Sequence, residues 1–276
     1  MIKVNNLSFY YQKKHPLFQE LNLELEGGSI VGLLGKNGVG KTTLLKLISG
    51  LVSPKQGGIV VNGYIPFERK TDFLADIYMV PEEFAFQNIT IGQYVKVFST
   101  FYPRFDHQKL QRVLNEFQLQ FSDQLNKISH GQRKKFLIAF ALASNCQLLL
   151  FDEPTNGLDI PSKSQFRKIL VSSVSDEQLV VISTHQVKDI DSVIDTVIVM
   201  NEGTIAYHQR MNDIIQELCF EIVPSLGEEE NGIYYEKCPS GYKLIRRSSG
   251  EGDTIVDLEL LFNAIVNNQL NNRKPL

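Results

Sequence analysis

The sequence predicts an α/β fold. A mostly parallel sheet is covered on both faces by helices and accompanied by an antiparallel β subdomain, an inserted helical subdomain and a small C-terminal α+β appendage. Three observations predict it. Apolar runs of strand length, at residues 29–34 (SIVGLL), 77–80 (IYMV), 147–151 (QLLLF) and 178–183 (QLVVIS), alternate with helical patterns. Strands that are apolar throughout fit a parallel sheet buried on both sides. A glycine-rich turn joins the first of these runs to a helical one, TLLKLIS, over residues 43–49. From Phe84 to Phe105 the composition shifts to aromatic residues, with Tyr94, Val97, Phe98 and Phe101 at helical spacing.

The elements follow in order. Residues 2–9 and 21–25 alternate loosely between apolar and polar and read as two strands around a polar turn at residues 12–16. Gly50 can end the helix of residues 43–49. Gly57-Gly58 and Asn62-Gly63 bracket a short strand, Ile59-Val60-Val61. Residues 107–119 form an amphipathic helix with Leu110, Val113, Leu114 and Phe117 on one face, and Asp106 as its N-cap. The aromatic excess of this region exceeds what a helical hairpin needs, which leaves part of it for a docking surface. Helices are expected at 133–143, 162–173 and 187–193, and a hairpin joins residues 196–200 to 204–207 across Asn201-Glu202-Gly203.

Residues 1–210 then form one nucleotide-binding domain with the helical insertion at about 84–143. Residues 211–276 form the appendage, with a helix at 213–218, an acidic turn at 227–230, strands at 232–235 and 242–245, an amphipathic helix at 257–266 and a polar, frayed end from 267.

Composition bounds the function. At 276 residues, 43% hydrophobic, 21% charged and net charge −3, the chain is an ordinary globular protein without the basic field that nucleic acid demands. Its three cysteines are too scattered for a disulfide framework or a zinc site. No apolar run approaches the ~20 residues that span a bilayer. The N-terminus lacks the apolar core of a signal peptide. The expectation is a soluble cytoplasmic protein that reaches a membrane only through a partner.

The chemistry starts at Gly35-Lys36-Asn37-Gly38-Val39-Gly40-Lys41-Thr42-Thr43, which fits G-x-x-x-x-G-K-[ST]. Gly35, Gly38 and Gly40 let the backbone fold tightly around an anion, so that N–H groups such as that of Asn37 point inward. The N-terminus of the following helix adds to that field. Lys41 reaches the β- and γ-phosphates, and the Thr42 hydroxyl ligates Mg²⁺. Asp152 ends an apolar strand at the same sheet edge, where it holds Mg²⁺ opposite Thr42, and Glu153 after it polarises the attacking water. His185 ends a later strand and is placed to donate to the γ-phosphate and link it to Glu153. Tyr11 is either a stacking partner for an adenine ring or a half-buried strand tyrosine.

With these residues in place, residues 2–207 resemble the P-loop NTPases that are the ATP-binding subunits of ABC transporters. Gly35 to Thr43 resembles Walker A, Leu148 to Pro154 resembles Walker B with its catalytic glutamate, Pro154 to Asp159 (PTNGLD) resembles the D-loop and His185 the switch histidine. Tyr11 falls where the family stacks adenine. The resemblance implies an ATPase that binds ATP and Mg²⁺ and dimerises, so that Ser129 and Gly131 of a second ATPase subunit close each site. A separate transmembrane permease would be the partner, with no nucleic acid, and the chain would lie on the inner face of the membrane. Two residues depart from the pattern. His130 stands where the signature L-S-G-G-Q has glycine, and Glu82, a candidate metal or water ligand, stands where the family has glutamine. Phe101-Tyr102-Pro103 and the tail are similar to ATPases of small exporters of the ABC-2 type. The competing readings are an ABC ATPase acting on ribosomes or DNA and a slow, nucleotide-dependent interaction protein.

Overall fold

The computed structural model describes residues 1–225, 232–248 and 254–270. The acidic turn expected at 227–230 and the end of the chain from 271 lie outside the described residues.

β1 (Ile2–Phe9) is the middle strand of an antiparallel sheet, between β2 (Phe18–Leu25) and, further on, β4 (Gln56–Val61). Alternation in β1, interrupted by a register shift between Val4 and Leu7, sends Ile2, Val4, Leu7 and Phe9 inward. β3 (Ser29–Leu34) enters the central sheet and leads through the glycine turn into α1 (Lys41–Ile48), which ends at Gly50 in a left-handed conformation (φ 71°). A short helix that the sequence reading did not anticipate, α2 (Thr71–Leu74), precedes β5 (Ile77–Val80).

The insertion holds α3 (Ile91–Phe98) and α4 (His107–Glu116), followed by α5 (His130–Ala143). Thr90 and Gln93 form a reciprocal capping box on α3. Asp106 caps α4 as expected, accepting from the Lys109 amide at 2.9 Å. Phe101 lies beyond α3, in a 3₁₀ turn (Ser99–Phe101), because Pro103 forbids further helix two residues on. Most aromatics are inside: Phe140 of α5 touches Tyr78, Tyr94, Tyr102 and Phe105 with ring centroids 4.9–5.9 Å apart. Val97, Phe98 and Phe101 stay exposed.

β6 (Leu148–Asp152), α6 (Ile160–Ser173), β7 (Leu179–Thr184), β8 (Thr196–Asn201) and β9 (Thr204–Arg210) complete the core. The central sheet runs β5-β6-β7-β3-β8-β9, parallel except for the outer strand β9. Alternate residues feed two cores. Leu149, Phe151, Val180 and Ile182 face the helical side, whereas Leu148, Leu150, Leu179 and Val181 face α1 and the antiparallel sheet.

The helix expected at 187–193 is only a 3₁₀ turn (Val187–Asp189). Arg167 of α6 takes the Asp189 carbonyl, and Ile190 and Ile194 turn inward onto Gly32 of β3, where a Cβ would lie 3.3 and 2.8 Å from their side chains.

The appendage comprises α7 (Met211–Glu217), an antiparallel sheet of β10 (Leu218–Val223), β11 (Gly232–Cys238) and β12 (Gly241–Arg247) in the order β10-β12-β11, and α8 (Leu258–Val266). The sequence reading missed β10. Over residues 267–270 the expectation of a frayed end is corrected, because the chain turns back there to bury Leu270.

Candidate nucleotide site

The glycine turn is shaped by its neighbours. Gly40 has φ 108°, and a Cβ there would lie 2.5 Å from the Phe18 ring, so two constraints demand glycine. At Gly38 (φ 83°) a Cβ would meet nothing within 4 Å, which leaves that face of the turn open. No side chain caps α1, so its first N–H groups and its positive end remain for an anion.

The expected charged groups converge. Lys41 Nζ donates to the carbonyls of Gly35 (2.8 Å) and Lys36 (3.3 Å) and lies 3.5 Å from Glu153 Oε1. Thr42 Oγ1 donates to Asp152 Oδ1 at 3.0 Å. His185 Nδ1 lies 2.9 Å from Glu153 Oε1. Asp152 and Glu153 are both buried, and Glu153 Oε2 has no hydrogen-bond partner among the described residues. An unpartnered buried carboxylate oxygen is costly, and here it belongs to the side chain assigned to activate water.

These residues fit a magnesium nucleotide. A hydroxyl and a carboxylate are hard oxygen donors of the kind magnesium takes. No cluster of three or more His, Cys, Asp or Glu among the described residues could hold a metal ion by itself. Tyr11 is 65% exposed, its ring edge-on to Phe9 at 5.0 Å, and its hydroxyl shares a hydrogen bond with Thr43 Oγ1 at 3.2 Å. An exposed ring beside the phosphate loop is available for stacking. Asn37 is exposed at the tip of the turn.

Other expected residues are held elsewhere. Ser129 caps α5 in a capping box with Gln132. Gly131 lies against the Gly157 carbonyl, 3.0 Å from where a Cβ would sit. Among the described residues no hydrogen bond joins either one to the phosphate loop of the same chain. The Glu82 carboxylate accepts from Asn156 at 3.0 Å, and neither Thr42 nor Asp152 is its partner.

The sequence reading missed Ser183, whose hydroxyl donates to Asp152 Oδ1 at 2.6 Å. The signal lies in strand register, since Asp152 pairs with Ser183 between β6 and β7. It also missed the relay from Asn156 to Gln186 (3.3 Å) and on to Lys163 (3.0 Å), which ties the residue after His185 to α6.

A family model described as ABC transporter matches residues 18–156, half of the chain. The chain belongs to the ABC transporter family. It is 31% identical over 221 residues to the molybdate import ATP-binding protein MolC of Haemophilus influenzae, covering 78% of this chain and 85% of that protein. It is 32% identical over 226 residues to the cytochrome c biogenesis ATP-binding export protein CcmA of Reclinomonas americana, covering 78% and 99%. Among solved structures, a dimeric ATP-binding cassette in a post-hydrolysis state with ADP and Pi superposes with TM-score 0.68 at 23% identity, over 76% of this chain and 99% of that one; it shows the shared fold. The ABC chain described here is an ATP-binding subunit and an ATPase.

Proposed function

We propose that this ABC ATPase hydrolyses Mg-ATP to drive a separate transmembrane permease, and that the transport is export. The observation that carries the hydrolytic reading is the position of Glu153, with one carboxylate oxygen held by His185 and Lys41 and the other unpartnered. Lys41 and the N–H groups of α1 bind the phosphates, Thr42 and Asp152 hold magnesium, and Tyr11 stacks on the base. Magnesium, when bound, neutralises developing charge on the phosphates. Glu153 Oε2 takes the proton of the attacking water, and His185 orients the carboxylate. Glu82 stands as a further ligand for magnesium or for water.

The signature residues Ser129 and Gly131 that the chain shares with its family support a second ATPase subunit whose Ser129 and Gly131 close each site, and a solved cassette with the same fold is dimeric. No helix among the described residues is long and apolar enough to cross a membrane; the reading of the permease as a separate polypeptide, with this chain peripheral on the inner membrane face, rests on the family resemblance. The exposed Val97, Phe98 and Phe101 are the surface offered to it. Relatives carry import and export names alike. Export rests on the likeness of Phe101-Tyr102-Pro103 and the tail to small exporters. Residues 1–210 carry the ATPase unit and 211–276 the appendage.

The test is affinity purification of the tagged chain from detergent-solubilised membranes, with ATPase activity measured on the eluate. A co-purifying multi-span protein and Mg-ATP turnover are expected. A ribosomal or DNA-bound partner overturns the transport reading. For direction, inverted vesicles that accumulate no substrate of the co-purified permease on addition of ATP overturn export.

A further inference from the structure

Lys134 is fully buried, and nothing in the chemistry above uses a cation there. Burial lowers its pKa, while the charges of Glu82, Asp152 and Glu153 act to raise it. A buried ammonium needs its donors satisfied. Its Nζ donates to the carbonyls of Glu82 (3.0 Å), Pro81 (3.3 Å) and Glu153 (3.4 Å) and sits 5.3 Å from the Phe84 ring centroid. One side chain of α5 thus ties the loop after β5 to the end of β6. His130, four residues earlier on the same helix, stacks on that same Phe84 ring, with centroids 5.0 Å apart and planes 14° apart.

Glu153 needs such a tie. Its φ is 45°, in the left-handed region that non-glycine residues rarely adopt. Such a conformation persists only where its surroundings fix it. The amide of Glu153 donates to the Ser183 carbonyl at 3.0 Å, which fixes one side of the residue, and Lys134 holds its carbonyl on the other. We infer that Lys134 is a positioning residue for hydrolysis: it clamps the Glu153 backbone and the 81–82 loop to the signature helix, so that the Glu153 carboxylate stays beside Lys41 and His185. This rests on the proposed role of Glu153 as the base. The His130–Phe84 stack steadies the clamp, which gives the residue that replaces a family glycine a use within its own chain.

Lys134→Met keeps the stem and removes the donors. Mg-ATP turnover by the full chain is measured over a series of ATP concentrations, with ATP affinity measured separately by direct binding. The expected result is a kcat at least tenfold lower with the ATP Kd within twofold of wild type. A lysine with a merely structural role would lower the melting temperature and yield while leaving kcat per ATP-binding site unchanged, and that result overturns the inference. Glu153→Gln is run in parallel. If it abolishes hydrolysis while Lys134→Met turns over at the wild-type rate, the clamp is wrong and the base assignment stands. If Glu153→Gln itself turns over at the wild-type rate, the base assignment falls and the inference with it. Should Lys134→Met fail to fold, Phe84→Leu removes the ring beside Nζ but leaves the carbonyls. A severalfold loss of kcat at constant Kd supports the clamp, and an unchanged kcat overturns it.

Discussion

The phosphate-loop edge and the seam between the main unit and the appendage both set lysine against carboxylate, and they differ in everything but that pairing. Lys188 and Glu259 approach to 2.7 Å, yet their side chains are 74% and 46% exposed. Lys41 and Glu153 stand 3.5 Å apart with side chains 6% and 5% exposed. The shorter pair is the weaker one. Water screens the exposed pair, and ordering two long side chains offsets the gain. At the buried edge, removing one partner strands a charge that the low dielectric cannot tolerate. The edge therefore spends hydrogen bonds on its charges, with Asp152 taking Thr42 and Ser183 on a single oxygen. The appendage relies on Leu258, Leu261, Ala264 and Ile265 of α8, which join the core of the main body.

This contrast is broken most easily at Lys41. Lys41→Ala is expected to abolish the rise in melting temperature that Mg-ATP produces; a retained shift would show that the buried lysine is dispensable for phosphate binding. Glu153→Gln comes next. Turnover should fall by about 10²–10⁴-fold, the usual contribution of a general base, while ATP binding persists in a direct binding assay. In the appendage, Leu261→Ala should cost about 2–5 kcal/mol of stability by denaturant titration, because it empties a fully buried site. A loss no larger than that of a surface change would mean that the appendage stands apart from the core.

A smaller effect is expected from pH. Burial pushes the Cys146 thiol up to about 11 from an ordinary value near 9. The folded chain keeps this proton where the unfolded chain has lost it. The stabilisation is whole below pH 9 and is lost as pH rises towards about 11, a change of about 2–3 kcal/mol. Cys146→Ala should flatten the denaturation midpoint across that range; an unaltered slope would assign the dependence to the buried tyrosines. The smallest effect is Lys188→Ala, which should leave the melting temperature unchanged.

Much of this was legible because local rules and global fold agree. Ser29–Leu34, Leu148–Asp152 and Leu179–Thr184 are apolar along their length and are buried strands. Asp106 is a cap both by type and by contact. The residues converging on the phosphate loop were legible because the motif fixes chemistry by spacing. Ser183 and Asn156 were not, since their partners are set by strand register and by loops brought together only in three dimensions. Lys134 is one of three consecutive cations, Arg133-Lys134-Lys135, and nothing in the sequence separates it from its neighbours; it is the approach of Phe84 and three carbonyls that marks it out. β10 was hidden because Leu218 follows the last turn of α7 with no glycine or proline to mark the change.

The ends of the central sheet carry a consequence for life in a crowded solution. A long flat outer strand is a template on which another chain can add. β5, at one end, has only four residues. β9, at the other, runs antiparallel to its one neighbour, β8, carries His208, Gln209 and Arg210, and has the turn before it, at Gly203, pressed so close to the Leu17 carbonyl that a Cβ would lie 2.0 Å away. Neither end offers a newcomer a long apolar ladder, so the sheet resists growth by strand addition and the chain stays available for the partners its exposed surfaces select.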